Sequence, residues 1–285
     1  MKLKLKRKLK RSGAARIWLY NWPLFVTTWI LAGCLIGTWV YLLDAALKVS
    51  LLGFLMVAGA ILAWIWSAVA LLVSYYVYDR SPLSRGTWVR DLLDDMNPSE
   101  TWILIHAGLD SEVELSNAMP SPPRAILDIY DKAYMSHRSI ARARHLAEPT
   151  ATNRVPTPTA LDVDRANSSS SIRVACSPIS LPPENGTCDV AIVAFTAHEI
   201  SPAGARAVFF AEVHRLLRPG GRMILVEHVR DLANFIAYGP GFTHFLPRSE
   251  WMRLADKIGF AVHQELRVTP WVMALALEKA KDISS

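Results

Sequence analysis

The stretch EVHRLLRPGGRMILVEHVRD, Glu212–Asp231, passes from a helical period to a strand period within twenty residues. Extended back to Ala203, it places Phe209, Val213, Leu216 and Leu217 on one helical face. Pro219, Gly220 and Gly221 then stop the helix, because proline lacks the N–H and the glycines admit a reversal of the chain. RMILVEHV follows at once as an apolar run with strand character. Such a run suits a strand covered on both faces, so this joint belongs to an α/β architecture with a largely parallel sheet.

Working outward, the same alternation recurs. TWILIHAG, RAILDIY, SIRVAC and CDVAIVAF are short apolar runs, the first two each followed by a polar, helix-compatible stretch. Ser249 is placed to cap a helix whose Trp251, Leu254, Ala255 and Ile258 share a face, with Gly259 closing it. FAVHQELRV and WVMALALEK, joined at Thr269-Pro270, must pair antiparallel, since a parallel crossover needs a dozen or more residues. Residues 147–171 are rich in Pro, Thr and Ser and read as a flexible insertion.

The N-terminal part is of another kind and accounts for much of the positive mean hydropathy of +0.21. Residues 22–43 carry no charge, nor do 49–78 apart from their flanks, and each run exceeds the roughly 20 residues that cross a bilayer as a helix. Only a short connector with Asp44 and Lys48 lies between them, so a two-helix hairpin over 22–78 is expected, with both chain ends on one side. Seven Lys or Arg residues crowd positions 2–11, and Arg80, Arg85 and Arg90 follow the second run. The positive-inside rule then puts both ends in the cytoplasm, across the inner membrane in a bacterium. The basic segment 1–21 next to a span suits anionic lipid headgroups better than nucleic acid, and no nucleic-acid partner is expected. Gly33 and Gly37 form a GxxxG that permits close helix contact, within the hairpin or between copies in a homo-oligomer. A linker over 79–100 and a domain over 101–285 complete the expected organisation. The three cysteines, Cys34, Cys176 and Cys188, form no metal-ligand spacing, and no metal is expected.

Three phrases, LPPENGTCDVAIVAFTAHEI, EVHRLLRPGGRMILVEHVRD and EWMRLADKIGF, resemble class I S-adenosylmethionine-dependent methyltransferases of the type 11 kind. In the first phrase Asp189 matches the usual Asp. The resemblance implies a Rossmann-like doubly wound sheet with a terminal antiparallel hairpin, here preceded by two transmembrane helices, and S-adenosylmethionine as cofactor. The wording around LVEHVRD looks most like the branch acting on quinones and other small lipids, which implies a small hydrophobic acceptor.

The family's first loop carries an acidic residue and three glycines. Here those positions read His106, Gly108, Asp110 and Glu112. Glycines serve there because the backbone approaches the cofactor closely and adopts torsions that side chains disfavour. The acids are not electrostatically foreign to a ligand that carries a sulfonium and an ammonium. Asp128, 20 residues after Gly108, falls where the resemblance implies a carboxylate accepting from both ribose hydroxyls, and Asp131 competes for that place. Where the family carries an Asp for the adenine amino group, this chain has Cys176, Ser177 and Pro178, so Ser177 would accept instead.

Methyl transfer from a sulfonium needs mainly alignment, so no universal catalytic residue carries over. His198 and Glu199, after the fourth strand, are the first candidates for a base, and His228 the second. Tyr238, Phe242 and His244 lie in an aromatic, Gly-containing loop and are candidates for acceptor contact, unless that loop dips into the bilayer or simply packs. Two functions follow: a membrane-anchored methyltransferase on a lipid-like acceptor, or an inactive methyltransferase-like interaction scaffold tethered to the membrane.

Overall fold

The computed structural model describes residues 12–96, 101–108, 119–146, 172–182 and 185–281. Asp110, Glu112 and the insertion at 147–171 lie outside the described residues. The chain divides into two units, one of residues 1–80 with 232–242 and the other of residues 81–231 with 243–285.

In the second unit the apolar runs form seven strands: β1 Trp102–His106, β2 Ala125–Asp128, β3 Ile172–Ala175, β4 Cys188–Ala194, β5 Leu217–His228, β6 Phe260–Thr269 and β7 Val272–Lys279. They make one sheet in the order β3-β2-β1-β4-β5-β7-β6. β1 to β5 run parallel, whereas β7 is antiparallel to both β5 and β6. All five residues of β1 and all four of β2 are buried, as expected for strands covered on both faces.

Helices Arg138–Leu146, Ala203–Leu216 and Arg248–Ile258 belong to this unit. In the second of these Phe209, Val213 and Leu216 are fully buried, as the helical face requires. Phe210 stacks on Trp251 of the third at 6.0 Å between ring centroids. The third helix starts two residues earlier than Ser249 suggests, with Pro247 at the N-cap position and no side-chain cap, so Ser249 is a first-turn residue; Gly259 closes it with φ +93°.

The Pro-Gly-Gly phrase does more than stop a helix. The helix ends at Leu216 and β5 begins at Leu217, and the phrase forms a bulge: Cys188 pairs with Leu217 and Val190 with Arg222. Gly220 takes φ +77°, and a Cβ on Gly221 would lie 2.9 Å from the Asp189 carbonyl, so the bulge needs glycine. Asp189 itself ties down the loops around β4, accepting from Thr101 N–H at 2.8 Å and pairing with Arg218 at 2.9 Å.

Part of the expected linker is packed into this unit. Trp88, Val89 and Leu92 are buried, and the guanidinium of buried Arg222 donates to the Leu92 carbonyl and pairs with Asp95 and Glu278.

The first unit contains two long apolar helices, Gly13–Tyr41 and Leu51–Tyr75, the second running on through a π turn to Arg80. Both are long and apolar enough to cross a membrane. The first begins earlier than the uncharged run and includes Arg16. Most of their buried residues are small, Ala32, Gly53, Ala60, Ser67 and Ser74 among them, while Leu31, Phe54, Leu62 and Leu72 face outward. Asp44 and Ser50 cap the short turn. At the other end Asp79 accepts from the N–H groups of Gly13 at 2.7 Å and Ala14 at 3.1 Å, a carboxylate on the positive end of the first helix. Gly33 and Gly37 have open space where a Cβ would be, so the GxxxG takes no part in the hairpin contact.

Helix Leu232–Tyr238 also belongs to this first unit. Trp66 donates to the Ile236 carbonyl at 2.8 Å and meets Phe235 edge-on at 5.5 Å. A Cβ at Gly239, where φ is +56°, would press into the Trp66 ring at 2.9 Å.

Candidate functional site

β1 to β5 end on one edge of the sheet, the carboxyl edge where open α/β sheets bind ligands. Two groups of polar side chains stand there.

The first lies at the ends of β1, β2 and β3. His106 and Asp128 are register partners on adjacent strands. Gly108 has φ +86°, and its N–H donates to His106 Nδ1 at 2.9 Å. Asp128 accepts from Tyr130 N–H at 3.2 Å and pairs with Arg144 at 2.6 Å. A Cβ on Gly108 would come within 2.5 Å of Arg144 Nη1, so one guanidinium lies against both Gly108 and Asp128. At the end of β3, Cys176 N–H donates to the Asp128 carbonyl, and Ser177 Oγ donates to Asp131 Oδ2 at 3.3 Å. Burial, with the nearby Asp128 charge, pushes the Cys176 thiol up to about 12, which removes it as a nucleophile at neutral pH.

The second group lies at the ends of β4 and β5. Just past β4, Phe195 has φ +49°, uncommon for a bulky residue and a place where backbone strain is held by the surrounding fold. The turn that follows presents His198 and Glu199, both buried. Glu227 of β5, fully buried, accepts from the N–H groups of Ala197 at 2.9 Å and His198 at 3.2 Å and from His198 Nδ1 at 2.6 Å. Burial disfavours charge on His198, but the Glu227 carboxylate outweighs it, with Glu199 adding to the effect, and the imidazole pKa is pushed up to about 10. A histidine held this way is an acid or a charge partner before it is a base.

Glu199 gathers three imidazoles. His137 Nδ1 is 3.2 Å from Oε2, His244 Nε2 is 3.4 Å from Oε1 and His198 Nε2 is 3.5 Å from Oε1. Burial opposes ionisation of Glu199, but the hydrogen bonds from His137, His198 and His244 overcome it and hold the carboxyl well below its usual range. Burial lowers the pKa of His244, against the opposing pull of Glu199.

The sequence candidates thus fall into three places. His106, Gly108, Asp128 and Ser177 share the β1–β3 end. His198, Glu199 and His244 meet at the β4–β5 end. Tyr238 and Phe242 belong to the first unit, where Phe242 packs edge-on against Phe235. His228 is held at the end of β5, Nδ1 to the Trp271 carbonyl at 2.9 Å and stacked on Phe245 at 4.9 Å. Sequence reasoning missed Arg144, His137 and Glu227. Glu227 had a signal, an acidic residue within an apolar strand that must find buried donors; His137 and Arg144 had none.

Residues 137–225 match the Methyltransferase domain. The match runs from His137 through β3, β4 and the Pro-Gly-Gly bulge into β5, and it implies S-adenosylmethionine as the cofactor. A search of curated proteins gives no match. Among solved structures, a SAM-dependent methyltransferase from Aquifex aeolicus aligns at 13% identity over 75% of this chain and 97% of its own, with a TM-score of 0.46. One from Thermotoga maritima aligns at 14% identity over 75% and 98%, TM-score 0.45, and one from Methanosarcina mazei at 15% over 67% and 98%, TM-score 0.44. The sheet order and the terminal antiparallel hairpin make the fold Rossmann-like, and residue roles rest on the chain's own geometry.

That geometry fits the cofactor. Gly108 leaves the backbone free of a side chain at the end of β1, Asp128 offers one acceptor for two ribose hydroxyls, and Ser177 carries a hydroxyl at the end of β3. Arg144 is paired with Asp128, the carboxylate that the resemblance assigns to a ribose.

Proposed function

We propose that this protein is a membrane-anchored S-adenosylmethionine-dependent methyltransferase acting on a small hydrophobic, lipid-like acceptor. The observation that carries the reading is the pairing of two polar groups on one sheet edge: His106, Gly108, Asp128 and Ser177 for the cofactor, and His198, Glu199 and His244 beside them for the acceptor. The cofactor supplies an electrophilic methyl group. The chain's own residues orient donor and acceptor, which provides much of the rate. Two apolar helices and the basic segment before them support the anchor, with both ends cytoplasmic, membrane lipids as partners and the open Gly33/Gly37 face available to a second copy. A reporter fused after Ser285 is active in its cytoplasmic form; activity of a reporter that works only across the membrane overturns this topology.

A second reading has its own observation. Arg144 occupies Asp128 and abuts Gly108, as expected if the ribose site has been closed and the fold kept as a scaffold. Calorimetry on the full-length protein in detergent separates the two. On the enzyme reading S-adenosylmethionine binds, Asp128→Ala weakens binding about tenfold or more, and Arg144→Ala strengthens it by freeing the carboxylate. No heat at millimolar cofactor for wild type and Arg144→Ala alike supports the scaffold.

A further inference from the structure

We infer that His137, Glu199 and His244 form a binding site for a first-row divalent metal ion of the zinc type. The ligand atoms, His137 Nδ1, His244 Nε2 and a Glu199 carboxylate oxygen, all lie within 4.8 Å of one another. Two imidazoles and one carboxylate are a donor set that suits zinc and its neighbours, with at least one position left for water or another oxygen ligand.

Three features favour a metal site over a plain hydrogen-bonded cluster. The spacing comes first. Ordinary N–H···O hydrogen bonds cluster at about 2.9–3.0 Å. Here the contacts of His137 and His244 with Glu199 are 3.2 and 3.4 Å. Ligands about 2.0–2.1 Å from a tetrahedral ion stand about 3.4 Å apart, close to these two separations, each to a different oxygen of Glu199, and the third lies within 4.8 Å.

Charge comes second. Glu199 is only 3% exposed and collects three imidazoles, although a single positive charge balances it. A divalent cation would engage the lone pairs of the two flanking imidazoles and balance the carboxylate together.

The surroundings come third. Beside the trio, His198 is fixed through Nδ1 by Glu227, whose other oxygen is held by two backbone N–H groups. The ring so fixed sets its Nε2 3.5 Å from Glu199 Oε1, beside the ligating carboxylate. His137 and His244, 39% and 26% exposed, leave a path from solvent to the buried Glu199. The three residues sit 62 and 45 positions apart in sequence, which is why no ligand spacing betrays them.

The site stands apart from the methyltransferase reading, because it needs neither cofactor nor turnover. The test is zinc binding by the full-length protein in detergent, with a chromophoric chelator as competitor, and the visible spectrum of the cobalt-loaded form. Wild type should retain about one zinc per chain after dialysis and show a tetrahedral or five-coordinate cobalt spectrum. His137→Ala, His244→Ala and Glu199→Gln should each weaken zinc at least about tenfold, while His145→Ala, an exposed histidine on the Arg138–Leu146 helix, should not. His137→Ala is the decisive variant, since its partly exposed side chain can be removed with the fold intact, as a near-UV spectrum will report. Wild type that keeps no zinc after dialysis, or a folded His137→Ala that binds zinc as wild type does, overturns the site.

Discussion

The two flanks of the sheet are built differently. β3, β2 and β1 have four, four and five residues, while β5, β7 and β6 have twelve, eight and ten. On the short flank the carboxylate of the site, Asp128, is answered by Arg144, whose side chain is 31% exposed and rooted on a separate helix. On the long flank the carboxylate is Glu227, fully enclosed and answered by two backbone donors and one imidazole. One flank can exchange partners, and the other cannot without unfolding its surroundings. On the proposed methyltransferase reading the two flanks divide the work, a fixed wall that positions groups and a side that can open for a cofactor.

Substitutions should divide along that line, with stability read from melting of the full chain in detergent. Glu227→Ala leaves a buried imidazolium and two N–H groups without an acceptor and should cost about 3 kcal/mol or more; a variant that melts with wild type would erase the contrast. Arg222→Ala, also on β5, strands Glu278 and should cost about 2 kcal/mol. On the short flank Gly108→Ala should cost about 1 kcal/mol, because φ +86° disfavours a side chain and Arg144 must shift.

Asp95→Asn should have the smallest effect, under about 1 kcal/mol, because the carboxylate is half exposed and screened. The Arg222 guanidinium holds its pKa down at about 2 against an ordinary 3.8. Its contribution is therefore complete above pH 4 and disappears as pH falls towards 2. A wild-type melting profile that converges on that of Asp95→Asn over this window sharpens the assignment; parallel profiles remove it.

Most of the sheet was legible in sequence because burial on both faces writes the central strands as continuous apolar runs; β6, largely exposed and carrying His263, Gln264, Glu265 and Arg267, was legible instead through its short link to β7. The Pro-Gly-Gly bulge was legible as a stop and not as part of β5, since a bulge depends on the partner strand and β4 is distant in sequence. Packing of Trp88, Val89 and Leu92 was hidden for the same reason: an isolated helical turn carries no period. The site was half legible. Asp128 and His198 could be found from where their strands end, but the convergence of His137, Glu199 and His244 is a property of three loops meeting, and no local pattern encodes it.

Residues 232–242 group with the apolar helices although they lie between β5 and the Arg248–Ile258 helix. The chain therefore passes from one unit to the other three times, after residues 80, 231 and 242. A protease cutting once near residue 80 would break the sole covalent link to the two apolar helices, leaving residues 232–242, which pack on Trp66, as their attachment to the rest of the chain. A polypeptide trimmed to begin at Ser81 would keep Phe235, Ile236 and Gly239 but lose Trp66, the side chain that covers them. That fragment should aggregate unless Leu232–Phe242 is also replaced by a short polar connection.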